Sequence, residues 1–360
     1  MMYDDEVDVA LQYLPRPQFF VQTLPQNLED GKRFIEDLKQ LRIVAMTQPM
    51  FELLPCDLSV VDIWAHPQKL DRDASYRYRP RPFEDTQLAA ASPGNTVITL
   101  KKPIRTKVDT HSQVYKGDMR IGSEKSREVF VKIYQQSLRG LPEERCFDDN
   151  TWPVLWRHAG SSAALEAWAY NQLTVLQGSM IPYSFGFYKV ELPHKEVSIV
   201  HVLEYLDGAT LRETDRITIE KRLGCSLLHA AEYIMPRLYR MQRLGIIHGD
   251  LDMRNIMLLR SIAVEDPRSA LVIVDFNEAQ PSGDGNDFMD ALDLLALLRE
   301  LGVHINDIEG WYLRHANSNP RPEWLAMFGT RLRDDIYFTL WMRRMRIEEK
   351  DLEIHARIKS

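Results

Sequence analysis

The stretch that most constrains this chain is a polar loop set between apolar runs. His248-Gly249-Asp250-Leu251-Asp252-Met253-Arg254-Asn255 leads into an apolar run at 256–259. A second run, Leu271-Val272-Ile273-Val274, then delivers Asp275-Phe276-Asn277-Glu278. Two four-residue apolar runs separated by a polar stretch read as the arms of a hairpin. Asn255 therefore enters one arm, and Asp275 leaves the other. Either piece alone reads as a turn or a strand cap, but both in this order are far more specific.

The remaining sequence bounds what such a hairpin can belong to. At 360 residues the chain is long enough for two domains, or for one bilobal domain with an extension. Its 45 Lys+Arg against 52 Asp+Glu give a net charge of -7, so no positive field draws in a polyanion and nucleic acid is not expected as a partner. Cys56, Cys146 and Cys225 are spread widely along the chain, which fits neither a CxxC zinc site nor a disulfide framework. A reducing cytoplasmic or nuclear setting is expected. The first residues, Met1-Met2-Tyr3-Asp4-Asp5-Glu6, are acidic where a secretory signal is basic and then apolar. No window approaches the roughly 18 uninterrupted apolar residues of a membrane span, so no membrane partner is expected.

Three regions follow from the pattern. Residues 1–90 read as an N-terminal extension and linker. Phe34, Leu38 and Leu41 mark one helix face, and Ser75-Tyr76-Arg77-Tyr78-Arg79-Pro80-Arg81-Pro82 reads as a solvated linker. Residues 91–205 carry short β-rich runs at 96–100, 113–117, 128–134, 185–190 and 197–205, with a helix over 162–173 between the third and fourth. Residues 206–360 are mainly helical. Leu223, Leu227, Ala231, Ile234, Leu238 and Met241 recur at helical spacing, with a kink or break expected at Pro236. The run from Trp341 through Arg357 reads as a charged, solvated amphipathic helix.

His248-Gly249-Asp250 followed by Asn255, then Asp275-Phe276-Asn277, resembles the protein-kinase-like phosphotransferases, whose catalytic loop reads H-R-D-L-x-x-x-N and whose metal motif reads D-F-G. The His-Gly-Asp form is closer to the aminoglycoside and choline kinase-like branch than to the regulated protein kinases. The resemblance covers about residues 97–301. It implies an α+β, bilobal protein-kinase-like fold, with a small β-rich N-lobe and a helical C-lobe, that uses ATP and Mg²⁺. Asp250 would serve the acceptor hydroxyl, while Asn255 and Asp275 would offer hard oxygen ligands to Mg²⁺. Val129-Phe130-Val131-Lys132 resembles the strand whose lysine grips the phosphates, and Glu166 on the following helix would pair with Lys132. Val202-Leu203-Glu204-Tyr205-Leu206-Asp207-Gly208 resembles the hinge, where backbone groups around Glu204 and Leu206 would bond adenine above Met257.

The sequence departs from that family in several places. Lys107, Asp109 and Ser112 stand where the family has its three phosphate-loop glycines. Asn277 replaces the glycine of D-F-G, a mild change because asparagine tolerates left-handed backbone. Asp252 adds negative charge near the γ-phosphate position, with Arg254 able to offset it. The stretch from Asp275 to Asp290 is short and has no Ala-Pro-Glu, which leaves little chain for a peptide platform. A hydroxyl-bearing small molecule is therefore expected as acceptor ahead of a protein. Trp311, Tyr312, Trp324 and Trp341 could wall its pocket, although core packing is the commoner fate of such aromatics. His248 reads as a structural histidine. The rival expectation is a pseudokinase that binds nucleotide or acts as a scaffold.

Overall fold

Alternation of apolar and polar residues builds most of the sheet seen in the computed structural model of the chain. The structure describes residues 28–143 (apart from Gln68, Asp71 and Ser75), 156–260, 267–282 and 289–317. The expected C-terminal helix, and Trp324 and Trp341, lie outside these residues. Contacts divide the chain into two units, Met1–Asp207 with Asp275–Pro281, and Gly208–Val274 with Ser282–Ser360.

The first unit is a closed antiparallel barrel with helices. Its strands are β1 (Cys56–Ala65), β2 (Thr96–Arg105), β3 (Gln113–Ile121), β4 (Arg127–Tyr134), β5 (Ser184–Glu191) and β6 (Val197–Glu204), in the order β1-β2-β3-β4-β6-β5. Inward residues such as Ile98, Leu100, Met119, Val129, Val131, Phe185, Val200 and Val202 are fully buried in one core. Each removes apolar surface from water, the main favourable contribution to such a fold. Gly117 lets β2 and β3 approach closely, since a Cβ there would lie 2.3 Å from the Thr99 carbonyl oxygen. Outside the barrel run α1 (Leu28–Thr47), α2 (Asp85–Ala89) and α3 (Ala159–Gln172).

Two parts of the expected extension differ from the sequence reading. Cys56–Ala65 is a barrel strand that pairs with both β2 and β5. The Arg/Tyr stretch is docked rather than solvated: Tyr78 Oη donates to Val175 O at 3.0 Å, and Tyr183 Oη donates to Arg79 O at 2.9 Å. Arg79 itself donates to Ser179 O and Ile181 O, both at 2.8 Å. A guanidinium with this many fixed acceptors is held, not solvated.

The second unit carries a small sheet, β10-β9-β7, formed by β7 (Gly208–Thr210), β9 (Ile256–Leu259) and β10 (Leu271–Ile273). The pairing Ile273↔Ile256, Val272↔Met257 and Leu271↔Leu258 makes β9 and β10 the two hairpin arms expected from the sequence. A short strand, β8 (Ile246–Ile247), leads into the loop from His248 to Asn255. The helices are α4 (Arg216–Leu223), α5 (Leu227–Arg243), α6 (Met289–Glu300) and α7 (Ile305–Asn317). The expected break at Pro236 is absent, and α5 runs through it. The chain breaks earlier, where left-handed Gly224 (φ 65) ends α4 and Ser226 caps α5 by accepting from the His229 amide. Trp311 is core, 2% exposed, with Nε1 donating to Glu232 at 3.3 Å. Among the described residues no helix is long and apolar enough to cross a membrane.

Candidate functional site

Strand pairing places a lysine and a histidine side by side in the first unit. Lys132 on β4 is the register partner of His201 on β6. Glu166 projects from α3, whose N-terminus is capped when His158 Nδ1 accepts from the Gly160 amide. Lys132 Nζ lies 2.6 Å from Glu166 Oε2 and 2.6 Å from Asp275 Oδ1. Lys132 is 4% exposed and Glu166 is fully buried, so this is a desolvated ion pair with a second carboxylate attached. Burial works against the Glu166 carboxylate, yet Lys132 and His201 outweigh it and hold the carboxyl below the ordinary glutamate range. Burial pushes His201 down against the pull of Glu166. Its Nε2 is 2.9 Å from Ser184 Oγ, while Nδ1 faces Glu166 at 3.7 Å.

Asp275 is held in an unusual conformation. Its φ is 71°, left-handed for a residue with a Cβ, which costs about 1–2 kcal/mol. The next residue pins it: Phe276 is fully buried and packs edge-on against Tyr170 at 5.5 Å. Arg105, at the end of β2, places Nη2 3.3 Å from Asp275 Oδ2. Glu278 accepts from Arg157 at 2.8 Å.

The β2–β3 connection carries Lys107, Asp109 and Ser112, and it is tied both to neighbouring segments and to itself. Asp109 adopts φ 62°, and its amide donates to Leu138 O at 2.8 Å. Arg42 of α1 bonds Asp109 Oδ1 at 2.9 Å and also donates to the Ser137 and Arg139 carbonyls. Lys107 O accepts from Thr110 Oγ1 and from Gln113 Nε2.

At the expected hinge, the Glu204 side chain is occupied. Arg79 grips it with two bonds, Nε to Oε1 at 2.7 Å and Nη2 to Oε2 at 2.8 Å, and the Tyr183 amide adds a third at 3.0 Å. The Glu204 amide already donates to Tyr183 O at 2.9 Å, so only its carbonyl remains as a candidate contact. Leu206 is buried.

The second unit holds the other cluster. Gly249 has φ 76°, which a side chain at this position would strain; this is why a glycine suits the loop. His248 Nε2 donates to Val274 O at 3.0 Å and Nδ1 accepts the Asp250 amide at 3.3 Å, the backbone-holding role expected of it. Asn255 Nδ2 donates to Asp250 O at 2.7 Å and to Asp250 Oδ2 at 3.0 Å. That fixes the amide so that its Oδ1, an acceptor, faces away from Asp250. The Val274 amide donates to Asn255 O at 2.9 Å, and Asp275 is the next residue in the chain. Asp252 accepts from the Arg254 amide and from Arg254 Nε, each at 2.6 Å, so Arg254 offsets it directly. Burial and the neighbouring Asp252 charge raise the Asp250 carboxyl above the ordinary aspartate range, against smaller pulls from His248, Asn255 and Arg254. Met257 is buried in β9.

The structure thus brings Lys132, Glu166 and Asp275 together in one unit, and Asp250 with Asn255 in the other. Among the described residues no group of three or more His, Cys, Asp or Glu side chains could hold a metal. A hard cation that keeps water and takes phosphate oxygens needs only one or two protein oxygens, and the Asn255 amide oxygen and the Asp275 carboxylate are each a donor of that kind. The sequence reading missed Arg79, Arg105 and His201. Arg79 meets Glu204 and Arg105 meets Asp275, 125 and 170 residues away, and His201 meets a carboxylate on a separate helix. Nothing local marks any of the three. Compared with known proteins, the chain matches no family model and no curated sequence.

Proposed function

We propose that the chain is a Mg²⁺/ATP-dependent phosphotransferase of protein-kinase-like fold acting on a hydroxyl, with a small molecule preferred over a protein as acceptor. The observation that carries the reading is the buried Lys132, held 2.6 Å from both Glu166 and Asp275. A desolvated lysine shared by two carboxylates is costly as architecture and useful as a phosphate grip. Glu166 would orient Lys132 for the α- and β-phosphates, the Glu204 carbonyl and the Leu206 backbone would take the adenine edge, and Met257 is the candidate apolar contact for the base. Asp250 takes the acceptor proton at Oδ1, the oxygen that Asn255 does not hold. Its raised pKa makes it a stronger base than a solvated aspartate. Mg²⁺, held by Asn255 Oδ1 and the Asp275 carboxylate, would neutralise charge spreading over the phosphoryl oxygens.

ATP should raise the melting temperature more with Mg²⁺ than without it, and Asp275→Asn should remove the difference. Absence of any shift at millimolar MgATP in the wild-type chain would defeat the reading. A pseudokinase that binds nucleotide without turnover is the second reading, favoured by the bonded β2–β3 connection and by Arg105 on the Asp275 carboxylate. Release of ADP on screening hydroxylated metabolites decides between them.

A second expectation concerns acidity. Asp252→Asn removes the neighbouring charge that helps raise Asp250, so the acid limb of kcat/KM against pH should move to lower pH. An unmoved limb, measured across pH 4–8, would show that Asp250 does not set it.

A further inference from the structure

Arg105 stands at the end of β2, beside a connection that is tied down at Asp109. The Asp109 amide is spent on Leu138 O, and Arg42 ties the same residue to α1. The connection is therefore anchored at its middle. Arg105 reaches past it. Its Nη2 makes two contacts, to Ser112 Oγ and to Asp275 Oδ2, both 3.3 Å, and its Nε is buried with no partner. Charge-assisted bonds of a guanidinium to oxygen run to about 2.7–2.9 Å, so both contacts are loose. Lys132, on the other oxygen of the same carboxylate, is at 2.6 Å.

One carboxylate cannot serve both side-chain cations fully and also hold a metal. If Asp275 were to hold a metal ion, the looser of the two side chains is the one that would be released. That side chain is a forked cation, 39% exposed, whose buried Nε–H still wants an acceptor. On the nucleotide reading the anion that would arrive with the metal is an oligophosphate, and a guanidinium fork matches its oxygens.

We infer that Arg105 is a phosphate-binding side chain, gripping the oligophosphate of a nucleoside di- or triphosphate beside Lys132. The inference rests on the nucleotide reading for the identity of the ligand, but the phosphate subsite itself lies wholly within the barrel unit.

The test is calorimetric titration of the full chain with Mg-tripolyphosphate, MgATP and adenosine. Arg105→Ala should weaken both phosphate ligands about tenfold and leave adenosine unchanged, as expected for losing a charged hydrogen-bond donor. Arg105→Lys, which keeps the charge without the fork, should fall between, and it serves alone if the alanine variant does not fold. Unchanged affinity of either variant for tripolyphosphate and MgATP overturns the inference while the nucleotide reading stands. Arg105-dependent tripolyphosphate binding with no added affinity from the nucleoside supports the inference and overturns the nucleotide reading. No binding of either phosphate ligand by the wild-type chain overturns both.

Discussion

Asp250→Asn is expected to lower turnover by about 10²- to 10⁴-fold while leaving MgATP affinity nearly unchanged, because this carboxylate addresses the acceptor proton rather than the nucleotide. The same substitution should not lower the melting temperature. The Asp250 carboxyl is raised in the folded chain, so whatever stability it contributes is present in acid and lost as pH rises through the folded value. At pH 7 its charge is a burden that asparagine removes, and an asparagine Oδ1 can still accept from Asn255. Loss of activity with an equal or higher melting temperature separates a reacting group from a structural one. An Asp250→Asn enzyme with wild-type kcat would place the reaction elsewhere.

The largest stability effect is expected at Glu166. Glu166→Gln leaves Lys132 buried with only Asp275 as counter-charge and should cost about 3–5 kcal/mol. The pH dependence carries the sign. The Glu166 carboxyl is depressed, so its contribution is present above the pKa of an unfolded glutamate and is lost as pH falls through the folded value. Urea unfolding at neutral pH should show the full gap between wild type and variant, and the gap should narrow in acid. A gap independent of pH would mean that packing, not charge, holds Glu166.

Several parts of this architecture were legible because their signals are local. The polar loop and its hairpin arms sit within one short stretch, His248 to Asp275, and short β-rich runs mark β2 to β6 one by one. Lys132, Glu166, Asp250, Asn255 and Asp275 were found by motif, and the structure groups them into two clusters without an alignment. Strand β1 was missed because its alternation is interrupted: the pairing with β5 shifts register between Val60 and Asp62 and again between Ile63 and Ala65. Arg79 was read as linker because its value lies in one partner, Glu204, 125 residues away. A guanidinium on a Pro-punctuated stretch looks the same whether it meets water or a buried carboxylate. At Pro236 local chemistry argued for a kink or a break, and of these the break does not occur: the buried face of α5, with Ile234, Leu238 and Met241, carries the helix through it.

Closure of the barrel also sets an order of events at the ribosome. Three of its six seams, β2–β3, β3–β4 and β5–β6, join strands that follow closely along the chain, whereas β1–β2 joins Cys56 to Leu100, β4–β6 joins Val129 to Glu204, and the longest joins Ser59 to Glu191. A strand made early must keep one edge unpaired until β2, β3, β4 and α3 have all been translated and β5 has emerged behind them. At about 5–20 residues per second that interval is on the order of ten seconds, long on the scale of hairpin formation. Newborn β1 is thus the part of the barrel most exposed to wrong partners, with the apolar Leu58, Val60 and Trp64 along it.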